Sequence, residues 1–380
     1  MATLKGTAPR FGLVFLLTLI FAASKHKWKE LAGPDIYVAL VSNKVPRFSE
    51  ISWMLELSLI SFLHSFRVSA EQVHLSVYME CSTRTLQEAQ PYDDTFVEPE
   101  YISYVTSVVD VVNRVRASIG TVAFYCTSSL GQAVCHSKTA MFESGMMDGL
   151  FFLLEHDWIV LPSQIGASVK YIKQAMMKKV VQYVLLQRGD RAVMSAIAGY
   201  SELRVTDLYS NNPYFASFAF LERLTDESNL CKRTTEASWE RSVEKYCKSH
   251  CSGLAVLRVK TKGSALYHVD GRYLSTAKLY SIGALFDSLQ QAVQEFSRRE
   301  MDALTLIKLI DIKCRKLPSD CDPYFHRRKF PELIRPLVVQ RAGQGLSLEQ
   351  VIAEFSGEDP RQFLSGKFKG RKELEEALQG

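Results

Sequence analysis

Four consecutive residues, Glu155-His156-Asp157-Trp158, follow the apolar run Leu150-Phe-Phe-Leu-Leu154. Side chains at i and i+2 of an extended segment point the same way, so the spacing predicts Glu155 and Asp157 on one face and His156 and Trp158, as packing residues, on the other. Two carboxylates at the end of a buried strand suit a hard divalent cation, Mn²⁺ or Mg²⁺, which takes oxygen ligands. Strand ends of that kind are also where α/β sheets bind ligands. An ion held there can bridge to a diphosphate and offset the charge that grows on it as a leaving group, without any proton transfer. An acid-x-acid triplet also arises by chance in exposed turns, so its weight rests on the elements around it.

Those elements begin at residues 35–42, whose apolar stretch from Ile36 to Val41 reads as a fully buried strand of a parallel sheet. Ser49 and Glu50 open a helix over 51–66, and a second strand follows at 73–78. Residues 82–100, polar and carrying Pro91 and Pro99, read as a loop over the strand ends. A helix over 102–119 leads past Gly120 to a strand at 121–126. Residues 127–136 have the composition of a loop, after which Ser137 caps a short helix over 138–144 that Gly145 closes. The strand at 150–154 then carries the acidic tetrad, and apolar character resumes at 159–161. Alternation of this kind predicts an α/β layer fold.

Beyond Pro162 the pattern mixes a helix or strand near 171–177, a strand at 180–186 and strand-like pieces at 254–259 and 265–268. Amphipathic periods at 285–296 and 301–312, and a charged tail, read as helices. The expected organisation is a leader over 1–24, a basic linker over 25–34, an α/β domain over 35–285 and a helical extension over 286–380.

Across 380 residues, 46 basic and 41 acidic side chains leave a net charge of +5 with no dense basic stripe, which argues against nucleic acid as a partner. Lys5 and Arg10 precede an apolar run over 11–23, and Lys25, Lys27 and Lys29 follow it. The run is shorter than the ~20 residues that span a bilayer comfortably. It suits a signal peptide cleaved near Ala22, Ala23 or Ser24, or a short signal anchor in the membrane. Either sends the chain into the lumen of the endoplasmic reticulum or Golgi, in the uncleaved case as a single-pass type II membrane protein. Eight cysteines agree with an oxidising compartment. The spacings of Cys247/Cys251 and Cys314/Cys321, near His250 and His326, match no standard zinc pattern, so disulfides are expected ahead of zinc. No Asn-x-Ser/Thr acceptor occurs.

The run Lys138-Thr-Ala-Met-Phe-Glu-Ser-Gly145, followed by Asp148-Gly-Leu-Phe-Phe-Leu-Leu-Glu-His-Asp-Trp158, resembles the GT-A glycosyltransferases, in which a short helix leads into an apolar strand ending in a DxD-type motif. Here the first Asp is replaced by Glu155. The resemblance implies a GT-A-like, Rossmann-like mixed sheet, mostly parallel and flanked by helices. It implies transfer of a sugar from a nucleotide-diphosphate donor to a hydroxyl of a glycan or glycoprotein, with a divalent metal on the diphosphate. It puts Asp157 on the metal and Glu155 on the ribose or a metal-bound water. It also puts Ser42 and Asn43 against the base, Glu80 near base or ribose hydroxyls, and His268 on the same ion. Read as plain strand-end residues, Ser42, Asn43 and Glu80 equally suit turn caps, and His268 a packed histidine.

An inverting transfer needs a base within hydrogen-bond reach of the attacking hydroxyl, and Glu240 is the candidate, beside Trp239, whose ring could stack on a sugar. Glu244, one turn on, reads as a solvated helix face. A retaining transfer requires no such base. Residues 211–215 suit an acceptor-side loop or a plain turn, and Arg188 and Arg191 could neutralise a diphosphate. Two rival readings are a catalytically silent carbohydrate-binding relative and a metal-dependent hydrolase using Glu155, Asp157 and His268. The hydrolase lacks the dense ligand set of a two-metal site. The resemblance does not cover the C-terminal extension.

Overall fold

A computed structural model describes residues 35–42, 52–80, 99–127, 129–186, 195–207, 209–210, 212–226, 231, 236–260, 264–268, 291–316, 343–345, 347 and 350. The leader, the basic linker, the polar loop after the second strand and most of the C-terminal extension lie outside these residues. Among those described, no helix is long and apolar enough to cross a membrane.

The first half is a run of βα units: β1 (Ile36–Ser42), α1 (Trp53–Phe66), β2 (Val73–Glu80), α2 (Pro99–Val115), β3 (Thr121–Thr127), α3 (Leu130–Glu143) and β4 (Leu150–Glu155). Then come β5 (Trp158–Val160), α4 (Val169–Met177), β6 (Tyr183–Leu186), β7 (Ala196–Ile197), β8 (Tyr200–Val205), β9 (Tyr214–Ser217), α5 (Phe218–Asp226), α6 (Glu236–His250), β10 (Leu254–Leu257), β11 (Leu266–His268) and α7 (Ala303–Lys316). Nine strands form one sheet in the order β3-β2-β1-β4-β9-β6-β10-β8-β7, and β5 pairs with β11 separately. Only β9 and β8 run against the other strands, which makes the sheet mixed and mostly parallel. This is the Rossmann-like architecture expected from the βα alternation.

All seven residues of β1 are buried. Its alternate residues serve two cores: Ile36, Val38 and Leu40 pack with α1, α2, α4 and α7, whereas Tyr37, Ala39 and Val41 pack with α3, α5 and α6. Helices therefore cover both faces, and a strand buried on both faces is a nearly continuous apolar run, as Ile36 to Val41 is.

Two sequence expectations change. Residues 127–136 are not a loop: α3 starts at Leu130, and Ser129 caps it by accepting from the Gln132 amide at 3.2 Å. Ser137, read as a cap, lies fully buried in mid-helix, donating to the Ala133 carbonyl at 2.7 Å and to the Tyr78 hydroxyl at 2.9 Å. Tertiary partners absorb the polar groups that made the segment look like a loop. Ser52 precedes α1 without a side-chain cap bond, and the proposed start at Ser49 and Glu50 lies outside the described residues.

α7 joins the sheet's own core through Leu306, Ile307 and Ile310. Its buried Asp311 accepts from the Ser163 hydroxyl at 2.6 Å and from the Ser163 amide at 2.9 Å. Disulfides join Cys135 to Cys231 and Cys247 to Cys251, Cys126 and Cys314 are also disulfide-bonded, and no described cysteine is free. Disulfides, not zinc, therefore account for the described cysteines.

Candidate functional site at the sheet's switch point

β1 is the strand at which the sheet's order reverses. The chain builds outward from it through β2 and β3, then returns to its other side with β4. In open α/β sheets the crevice outside the carboxyl ends of the strands at such a point is where ligands bind. Register brings Val41 of β1 opposite Glu155 of β4, and Ser42 opposite Met79 of β2, one residue before Glu80. Ser42, Glu80 and Glu155 thus close three adjacent strands at one edge. Asn43 lies outside the described residues.

Tyr104 of α2 ties two of these ends together. Its buried hydroxyl donates to the Ser42 carbonyl at 2.5 Å and accepts from the Glu80 amide at 3.4 Å. The Ser42 side chain is fully buried, and its hydroxyl has no hydrogen-bond partner among the described residues. Glu80 is exposed.

The tetrad is not one extended segment, so the predicted alternation of faces does not apply to it. Glu155 ends β4, His156 and Asp157 form a turn, and Trp158 opens β5. The His156 amide still donates to the Val41 carbonyl at 3.0 Å, which extends the β1–β4 ladder by one residue before the chain turns. His156 and Trp158 are buried and Glu155 and Asp157 half-buried, with Asp157 Oδ1 itself shielded from solvent.

From below, α1 meets this turn with serines. Ser58 donates to the His156 carbonyl at 2.8 Å, the Ser61 hydroxyl accepts from the Val160 amide at 2.9 Å, and Ser65 donates to the Val160 carbonyl at 3.2 Å. β11 flanks β5 on the other side, with His268 in register with Trp158 and therefore next to the strand position of Asp157.

Glu240 sits on α6, half-buried, and accepts from the Ser210 hydroxyl at 3.0 Å. Its neighbours are a fully paired aromatic group. Trp239 donates its ring N–H to the Tyr209 hydroxyl at 3.2 Å, and the Tyr209 and Tyr214 hydroxyls lie 3.4 Å apart. Burial pushes both phenols well above their usual range, and the charges of Glu240 and Glu155 push Tyr209 further; Glu155 also acts on Tyr214. Tyr209 thus feels the charge of both carboxylates. β9 positions Tyr214 opposite Leu153, two residues before Glu155.

Trp239 cannot stack on a sugar: it is fully buried, and a Cβ built on Gly131 of α3 would stand 2.6 Å from its ring. Asn212, in the 211–215 segment that suits an acceptor-side loop or a plain turn, is buried and donates to the Ser210 hydroxyl at 2.5 Å. Glu244 pairs with Lys248 one turn along the helix at 3.0 Å, the solvated face expected of it. Arg188, Arg191 and Asn211 lie outside the described residues.

Among the described residues no three His, Cys, Asp or Glu side chains stand close enough together to hold a metal by themselves. One or two carboxylates still fit Mg²⁺ or Mn²⁺, because such ions keep waters and complete their shell with substrate phosphates instead of a full protein cage. The oxygen donors of Glu155 and Asp157 match that chemistry. Sequence reasoning missed Ser58, Ser61 and Tyr104. The serines at i and i+3 on an otherwise apolar helix were a readable signal, while nothing local marks Tyr104.

No family model and no curated protein matches the chain. Among solved structures it is similar to a UDP-glucose pyrophosphorylase complexed with UDP-glucose, at 9% identity over 61% of this chain and 92% of that one, with a TM-score of 0.32. It is also similar to the UDP-glucose pyrophosphorylase of Acinetobacter baumannii, at 11% identity over 69% and 99% with a TM-score of 0.36. A third likeness is to mouse xyloside xylosyltransferase 1, at 9% identity over 58% and 78% with a TM-score of 0.26. Likenesses at this level add nothing to the topology already described.

Proposed function

We propose that the chain is a metal-dependent glycosyltransferase of the secretory pathway, moving a sugar from a nucleotide-diphosphate donor to a hydroxyl of a glycan or glycoprotein. The observation that carries this reading is the position of the Glu155-His156-Asp157 turn, at the carboxyl end of β4 beside the strand where the sheet order reverses. Asp157 would hold Mn²⁺ or Mg²⁺, with His268 beside it by register and Glu155 at the ribose or a metal-bound water. When bound, the ion supplies positive charge against the departing diphosphate.

The chain's own residues then divide the remaining work. Ser42 and Glu80, at the ends of β1 and β2, and Asn43, next in sequence to Ser42, suit the base and ribose. Glu240, held by Ser210 and sharing Tyr209 with Glu155, is the base for an inverting transfer. Luminal residence accords with the disulfides.

The test is a panel of nucleotide sugars offered to the purified protein with Mn²⁺, scoring nucleotide release for wild type and Asp157→Ala. Release by the wild type from at least one donor, reduced on the order of a hundredfold or more in the variant, is expected. An inert wild type, or a variant as active as wild type, would refute the proposal. Tight sugar-nucleotide binding without release would favour a silent carbohydrate-binding relative.

A further inference from the structure

We infer that Ser58 is a positioning residue for the acidic turn, fixing the peptide from which Asp157 projects; this rests on the reading of Asp157 proposed above. The carbonyl that Ser58 holds belongs to the peptide unit joining His156 to Asp157. That unit is planar, so anchoring its oxygen sets the direction of the Asp157 N–Cα bond.

The anchor itself is rigid. Ser58 and Ser61 are fully buried, and the Ser61 hydroxyl donates to the Ser58 carbonyl at 2.8 Å. α1 is held to the sheet by Phe62 stacked on Phe152 at 4.4 Å and by Phe66 edge-on to Phe215 at 5.0 Å. Glu56, two residues before Ser58, is clamped by Arg114 at 3.2 Å and Arg299 at 2.8 Å. A hydroxyl on this helix therefore cannot follow the turn if the turn drifts. Nothing about strand pairing requires the bond: the His156 amide is already satisfied by Val41, and what Ser58 adds is the orientation of the peptide's other side.

Ser65 provides an internal control. It makes the same kind of bond from the same helix, but to the carbonyl of Val160, three residues beyond Asp157. Loss of either hydroxyl removes one hydrogen bond to a backbone carbonyl and lowers stability. Only loss of Ser58 loosens the carboxylate.

Full-length wild type, Ser58→Ala, Ser58→Thr and Ser65→Ala would be compared in two readouts: the Mn²⁺ concentration giving half-maximal nucleotide release, and the rise in melting temperature on adding Mn²⁺ with a nucleoside diphosphate. Ser58→Ala should need about tenfold more Mn²⁺ and lose most of the Mn²⁺-dependent rise. Ser65→Ala should keep the wild-type response despite a lower melting temperature, and Ser58→Thr, which retains a hydroxyl, should recover most of it. If Ser58→Ala and Ser65→Ala behave alike, or if Ser58→Ala keeps the wild-type Mn²⁺ response, the inference is overturned while the function stands. A wild type indifferent to Mn²⁺ in both readouts overturns the function and the inference with it.

Discussion

Gly131 and Trp239 show how one atom decides the packing under Glu240. Gly131 is the second residue of α3, where alanine would ordinarily favour the helix by up to about 1 kcal/mol. Here an added methyl would lie 2.6 Å from the indole ring, a rigid group with no room to swing away. Gly131→Ala is therefore expected to destabilise the protein by about 1–3 kcal/mol, as overpacked cores do. The urea midpoint reads the sign directly: a fall supports the packing, whereas a rise would mean that helix propensity prevails and the contact yields. At this scale the sequence was only partly legible. Asp157 and Glu155 were identifiable from their place after an apolar run, but Trp239 next to Glu240 looked like a sugar platform. Its burial depends on a glycine more than a hundred positions away, and no local pattern records that.

Among the elements, β2 carries a buried ionisable group whose titration can be followed. His74 is fully buried, with Nδ1 2.6 Å from the Thr121 hydroxyl and Nε2 3.0 Å from the Ser76 hydroxyl, and burial lowers its pKa from 6.5 to about 3. In the unfolded chain it titrates near its ordinary value. Above that value both states hold it neutral and it contributes no pH dependence. As pH falls below about 6.5 the unfolded state takes up a proton that the native state refuses until about 3, so stability drops across that window. The slope from this group approaches ~1.4 kcal/mol per pH unit. Denaturant unfolding between pH 7 and pH 4 should show a shallower fall for His74→Asn than for wild type; equal slopes would mean that His74 is not held neutral.

Elements differed in how well they could be read. β1 and β4 are recognisable because burial on both faces leaves them nearly continuous apolar runs, and β2 and β3 by their β-branched and aromatic residues, although β2 also buries His74 and Ser76. β9 was not: it has four residues, follows Pro213 and resembles the exit of a turn. α3 was misread over half its length because Ser129, Gly131, Gln132 and Ser137 have loop-like chemistry that only the cap, Trp239 and Tyr78 explain.

For the whole molecule, the order of βα units in sequence implied an α/β layer fold, and the structure has one. The insertion of antiparallel β9 between β4 and β6 was beyond reach, because strand order is fixed by long-range pairing and not by local periodicity. That insertion sets Tyr214 opposite Leu153, two residues before Glu155 ends β4. The Cys135–Cys231 bond closes a separation of 96 residues between α3 and the segment after α5, and Asp311 docks α7 onto the turn following β5. Both the sheet and its C-terminal helix thus converge on the short stretch from Glu155 to Ser163. The most direct measurement of what that stretch does is calorimetric titration of a nucleoside diphosphate into wild type and Asp157→Asn, each with and without Mn²⁺. The expected result is binding by the wild type that requires Mn²⁺ and is lost in Asp157→Asn at an unchanged melting temperature. Mn²⁺-dependent binding that persists in Asp157→Asn, or no binding by the wild type at all, would contradict a metal-diphosphate site at this turn.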